Sequence, residues 1–188
     1  MTDEQYKLVK PVLDTFETKE LKELCIAILN DFPEYIWHIP ASSSGKYHPA
    51  SDLGEGGLMR HQIKVAKICN WRLGLKNYQK MFNEKERDCL RIACLCHDGR
   101  KSGETDSGHT LHEHPFLMGK AVLKMKDSFP NLKEEIEDIT NLILRHMGEW
   151  TTSKYSDVVL LEPVFAREMF VHECDFLASR KEVEIDWR

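Results

Sequence analysis

In the stretch CLCHDGRKSG, Cys94 to Gly103, a histidine and an aspartate stand side by side at the end of an apolar run. Arg100, Lys101 and two glycines sit in the same stretch. Imidazole nitrogen and carboxylate oxygen are both metal donors, and together they suit Mn, Fe, Co, Ni or Zn. A single His-Asp step carries little weight in a chain with 9 His, so its meaning depends on where the other donors fall. His61 lies within an apolar helical segment, His114 opens another, His146 closes LILRHMGEW, and Asp175 sits in HECDFLASR. Each has an ordinary reading. A histidine at a helix C-terminus such as His146 favours the helix dipole, His61 suits a hydrogen-bonded core position, and Asp175 suits a solvated face. The joint order H…HD…H…H…D points instead to one site fed by several helices, which place ligands more rigidly than loops do.

Those donors have to be positioned by helices. Leu21, Leu24, Cys25, Ile28, Leu29 and Phe32 form an apolar stripe that ends at Pro33. A Ser/Gly/Pro-rich loop runs from Pro40 to Gly57, and Leu58 to Leu73 then reads as a helix stopped by Gly74. Asn83 suits the cap of the next helix, with Glu84 and Glu86 in its first turn and Leu90, Ala93, Cys94 and His97 on one face. A further helix is expected from His114 to Asp127, with Leu117, Ala121 and Lys124 or Met125 inward, His114 at its N-cap and His112 outside it. Leu132 to Met147 is amphipathic. Pro163 suits the first turn of a last helix through Ala178, and only Val158 to Leu161 looks strand-like. The expected class is all-α, with about six or seven helices in one orthogonal or bundle-like domain.

The whole chain narrows the function classes. Its 188 residues suit one domain with a real core. The net charge of −5, with no Lys/Arg-rich run, argues against an extended duplex-binding surface, where phosphate neutralisation supplies affinity. A small anionic substrate held by one or two cations and a metal remains compatible. No apolar run reaches the ~18 residues of a membrane span. MTDEQYKLVK lacks the apolar core of a signal peptide, so a cytoplasmic location is expected, with the 6 Cys reduced. Cys94 and Cys96, about 200° apart on a helix, are expected to be core thiols rather than zinc ligands.

The order of donors resembles that of the HD-domain superfamily of metal-dependent phosphohydrolases, over roughly residues 40 to 180. GLMRHQIKVAKIC is similar to the family's first-ligand helix, and HDGRKSG to its His-Asp-x-Gly-Lys step, with Arg100 in place of the Gly and Lys101 in register. HEHPFLMGKAVL and ILRHMGEW resemble the two later His-bearing turns of the two-metal branches. IPASSSGKYHPASDLGEGGLMRH further resembles the segment before the first ligand in HD-domain 3′–5′ exoribonucleases and related nucleotide hydrolases. The matching steps are Pro40-Ala41-Ser42, Tyr47-His48 and Gly56-Gly57-Leu58, with Pro49 in place of a second His.

The resemblance implies a single HD-type domain over 1–188, with an N-terminal helical extension over about 1–39 and a metal-site core over about 40–180. It implies one or two divalent transition metals per chain. His61, His97, Asp98 and Asp175 would hold the first, and His114 and His146 would complete a second with Asp98 shared. Asp98 and Lys101 are the expected catalytic pair, and Lys101, His48 and Arg145 the expected contacts to substrate phosphate. His109 and His112 are spare candidates, while His38 and His172 read as structural. The expected partner is a small phosphorylated substrate or a short oligonucleotide, because one domain leaves no room for a separate RNA-binding module. Two alternatives stay open at this point. One is a mixed-valence di-iron oxygenase, which uses the same ligand order, and the other is a nucleotide-binding or sensing module without turnover.

Overall fold

The computed structural model describes residues 1–42, 45–46 and 48–181. The Tyr47 half of the Tyr47-His48 step therefore lies outside the described residues. Eight α-helices are present among the described residues: α1 (Asp3–Leu13), α2 (Lys19–Asn30), α3 (Gly57–Leu73), α4 (Lys76–Met81), α5 (Glu84–Cys96), α6 (His114–Leu123), α7 (Lys133–Leu144) and α8 (Ala166–Ala178). The fold is all-α. Val158 to Leu161 forms no strand, and Leu160 N–H simply donates to Thr151 O. The short α4, which has no buried residue, adds to the helices foreseen from periodicity.

The core is built around α5. Every residue from Asp88 to Cys96 is buried, because α2, α3, α7 and α8 all pack on this helix. Its start follows from local chemistry. Asn83 Oδ1 accepts from Glu86 N–H at 3.0 Å, and Glu86 Oε2 accepts from Asn83 N–H at 2.9 Å, a reciprocal cap that satisfies two amides. The α2 stripe Leu21, Leu24, Cys25, Ile28 and Leu29 is fully buried, and α1 joins the same apolar cluster through Val9, Val12 and Leu13. All six Cys are buried free thiols. Cys94 lies against Cys69 and Cys174, whereas Cys96 lies against Cys25 on the other side.

Three local expectations need correction. On α6, the buried positions are His114, Pro115, Met118, Gly119, Ala121 and Val122, while Leu117 is partly exposed and Lys124 is exposed. Met118 packs beside Gly99, and Gly119 meets α7, where a Cβ would lie 3.1 Å from Leu144 and 3.3 Å from Thr140. His114 is the first residue of that helix and Glu113 its N-cap. Pro163 lies outside α8, which begins at Ala166, because the Glu168 carboxylate accepts from Val164 N–H and Phe165 N–H and sets the start later.

Candidate metal centre

Five segments converge on one buried spot: the second turn of α3 with His61, the turn after α5 with His97, Asp98 and Lys101, the start of α6 with His114, the turn after α7 with His146, and α8 with Asp175. Local packing makes these turns possible. Arg100 is buried in the turn after α5, where its guanidinium pairs with Asp31 at the end of α2 and with Glu104 at 3.0 Å. The turn after α7 bends at Gly148, with φ +66°, where a Cβ would lie 2.2 Å from the His172 ring. His172 uses that closeness to donate from Nδ1 to His146 O at 2.8 Å, so its role is structural. His38, paired with Glu34 and Glu55 on the surface, lies away from the site.

The six expected donors come together. His61 Nε2 stands 2.9 Å from Asp175 Oδ1, and His97 Nε2 stands 3.6 Å from the same oxygen and 3.5 Å from Asp98 Oδ2. The other oxygen of Asp98, Oδ1, is 3.0 Å from His114 Nε2 and 3.7 Å from His146 Nε2. Asp98 thus turns one oxygen to His97 and the other to the His114–His146 pair. His109 and His112 stay outside: His109 is exposed and bonds Ser107 O, and His112 bonds Thr151 O at 3.2 Å.

The tautomers of three imidazoles follow from their backbone partners. Nδ1 of His97, His114 and His146 lies 3.1, 2.7 and 2.8 Å from the carbonyls of Cys94, Leu111 and Ile143. A carbonyl only accepts, so each Nδ1 carries a proton and Nε2 is the nitrogen that each ring turns to the cluster as a metal donor. Yet His114 Nε2 and His146 Nε2 face each other at 3.2 Å, beside the carboxylate oxygen Asp98 Oδ1. Buried lone pairs crowded in this way repel unless a cation lies among them. His97 Nε2 and Asp98 Oδ1 are also buried without a hydrogen-bond partner. The donor set therefore fits a metal, and the triplets His61–His97–Asp175 and His97–Asp98–His146 each bring three donor atoms within 4.8 Å of one another.

The electrostatics show how strongly the buried carboxylates draw positive charge into the cluster. Burial by itself would lower the His97 imidazole, but the carboxylates of Asp98 and Asp175 outweigh it and raise the group to about 10. Burial, with His97 and His114 nearby, pushes His146 down to about 3. Burial opposes ionisation of Asp98 and Asp175, but Lys101 and His97 hold Asp98 well below the usual carboxylate range, and His97 and His61 do the same for Asp175. The site holds ionised carboxylates next to a neutral imidazole and accumulates positive charge where it can.

A cavity of about 380 Å³ opens over His61, Asp98, His146 and Asp175. Met147 and Trp150 form an apolar wall, and Lys101 and Arg180 supply cations. His48 also lines it, with its ring edge-on to His61 at 4.7 Å. Lys101 Nζ is already paired with Asp98 Oδ2. Arg145 is not at the cavity. Adjacent residues in the turn after α7 point oppositely, so His146 faces in while Arg145 reaches Glu168 at 3.2 Å and Glu162 O. Arg180, just past α8, takes the place in the wall expected of Arg145. The sequence reading also missed Trp150, although an aromatic four residues past a candidate ligand was a usable signal, and Asp52, a fully buried acid with no helical periodicity to expose it.

The family model of the HD domain matches residues 58–179, more than half of the chain, and the chain belongs to the HD domain family. That family is a superfamily of metal-dependent phosphohydrolases whose domains bind divalent metals. No curated protein and no solved structure matches the chain. No helix among the described residues is long and apolar enough to cross a membrane.

Proposed function

We propose that the protein is a phosphohydrolase acting on a nucleotide, a short oligonucleotide or another small phosphoester. The observation that carries this reading is the way Asp98 offers its two oxygens to two separate histidine sets whose Nε2 atoms crowd one buried point. His61, His97, Asp98 and Asp175 would hold one divalent metal, and His114 and His146, with Asp98 shared, a second. Such a metal supplies charge neutralisation at phosphoryl oxygens and water acidified to a pKa of about 7.

The chain's own residues do the rest. Neutral imidazoles hold position without adding charge that would compete with the substrate. Lys101, poised on Asp98 at the cavity edge, is placed to pair with a phosphate oxygen, and Arg180 adds a second cation. His48 contacts the substrate from the loop side. Met147 and Trp150 exclude water and offer an apolar face to the organic part of the ester. Likeness of the Pro40 to His61 segment to HD-domain exoribonucleases supports a nucleotide or short oligonucleotide over other esters. In the structure the start of α3 is tied to the residues just before that segment, with Leu58 N–H donating to Ile39 O at 2.9 Å and Gly56 N–H to His38 O at 2.7 Å.

The test is metal analysis of the purified protein followed by a panel of nucleotides and dinucleotides assayed for released phosphate or mononucleotide. Metal-dependent release without O₂ is the expected result. A strict O₂ requirement, or tight nucleotide binding with no release, overturns the reading.

A further inference from the structure

His61 differs from the other three imidazoles of the cluster in one respect. His97 and His146 follow helix ends and His114 begins a helix, where nearby carbonyls have no intrahelical partner and can accept from Nδ1. His61 lies inside α3 (Gly57–Leu73), where the preceding carbonyls are committed to the helix. Its Nδ1 is buried and has no hydrogen-bond partner. An outside acceptor is needed to fix this ring.

Asp52 is in the right place. It is completely buried at the end of a 3-10 turn, Ala50–Asp52, and its Oδ2 stands 3.7 Å from His61 Nδ1, on the side away from the cluster. The same oxygen is 3.7 Å from His48 Nδ1, and Lys64, one turn along α3, pairs with both oxygens at 2.7 and 2.6 Å. Ser51 Oγ is 3.2 Å from Oδ1. The backbone holds Asp52 firmly. Its carbonyl accepts from Ala41 N–H at 3.0 Å, and it lies so near Gly57 that a Cβ there would be 2.1 Å from the oxygen. The last glycine of the GEGG step, Gly57, is thus what lets the Asp52 loop reach the first turn of α3.

We infer that Asp52 is the positioning residue for His61: its carboxylate orients the Nδ1–H of this one imidazole within a helix and so presents Nε2 to the cluster, as backbone carbonyls do for His97, His114 and His146. Lys64 neutralises the buried carboxylate so that it can sit beside the ring. The inference rests on the metal reading above, and it makes the His61 half of the centre depend on a residue outside the ligand set. Outer partners of this kind typically change metal affinity 10- to 100-fold.

The experiment compares wild type with Asp52→Asn and with Asp52→Asn combined with Lys64→Met. The double variant removes the buried pair without leaving either charge alone, which proteins commonly tolerate. Imidazole ¹⁵N shifts of the metal-free proteins report each tautomer, and Co²⁺ titration followed by its visible bands reports affinity. The expected result is that His61 loses its single Nδ1–H tautomer while His97, His114 and His146 keep theirs, and that Co²⁺ binds about 10- to 100-fold more weakly. An unchanged His61 tautomer with unchanged Co²⁺ affinity overturns the inference, as does a collective shift of all four rings, which would mark Asp52 as general scaffolding. A wild-type protein that takes up no Co²⁺ contradicts the metal reading, and the tautomer comparison still decides the role of Asp52.

Discussion

His114 Nε2 and His146 Nε2 face each other at 3.2 Å, while the Nδ1 atom of each ring donates to a backbone carbonyl. Two neutral imidazoles fixed in that way place lone pair against lone pair in a buried site. Asp98 Oδ1, 3.0 Å from His114 Nε2, adds a third donor. This arrangement is costly as a packed core and favourable around a cation.

The first prediction follows from that pair. His114→Ala removes one of the donors around Asp98 Oδ1, so bound metal should fall by about one equivalent in a two-metal centre. His112→Ala, whose ring only reaches Thr151 O, should leave the count unchanged. Elemental analysis of the two purified variants checks this. A loss caused by His112→Ala alone would make His112, not His114, the donor at the start of α6.

Lys101 gives the second. Its ammonium pairs with Asp98 and lines the cavity. A charge-assisted contact to phosphate contributes roughly 1.5–3 kcal/mol, so Lys101→Ala should lower kcat/KM about 10- to 100-fold with metal retained. Steady-state kinetics alongside metal analysis is the check. Unchanged kcat/KM would assign Lys101 to the loop surface alone.

Most helix bodies were legible in the sequence because that signal is local, and the six candidate donors were picked out by their joint order along the chain and its resemblance to the HD-domain family. Apolar periodicity marks the buried stripe of α2, and a cap residue such as Asn83 marks a start. What stayed hidden depends on contacts between distant segments. Asp52 acquires meaning only when the loop folds back on His61 and Lys64 of α3. Arg145 and Arg180 are equally basic in sequence, and only the Glu168 partner and the turn at Gly148 decide which one reaches the cavity wall. On α6, Leu117 and Met118 are both apolar, so periodicity alone could not choose which of them is buried.

The third prediction concerns acid stability away from the metal centre. Glu17 pairs with Arg87 and Arg91. The Arg87 hydrogen bond, against the opposing effect of burial and with help from Arg91, lowers its carboxyl from the usual 4.5 to about 2. A depressed folded-state value means that the ionised pair stabilises the fold above about pH 4.5, and that this contribution is lost as pH falls towards 2. Glu17→Gln should therefore be less stable than wild type at pH 6–8, with the two converging in acid. Urea unfolding of chelator-treated protein across that range would show it. A gap that stays constant or widens below pH 4.5 would remove Glu17 from the account.

The most direct measurement of the central claim is metal content and turnover of Asp98→Ala beside wild type. Asp98 is the one residue whose two oxygens meet both histidine sets, so its removal should empty the centre and abolish phosphate release, with the helical fold retained by circular dichroism. An Asp98→Ala protein that keeps full metal and full turnover would contradict the account, because the chemistry would then reside elsewhere in the chain.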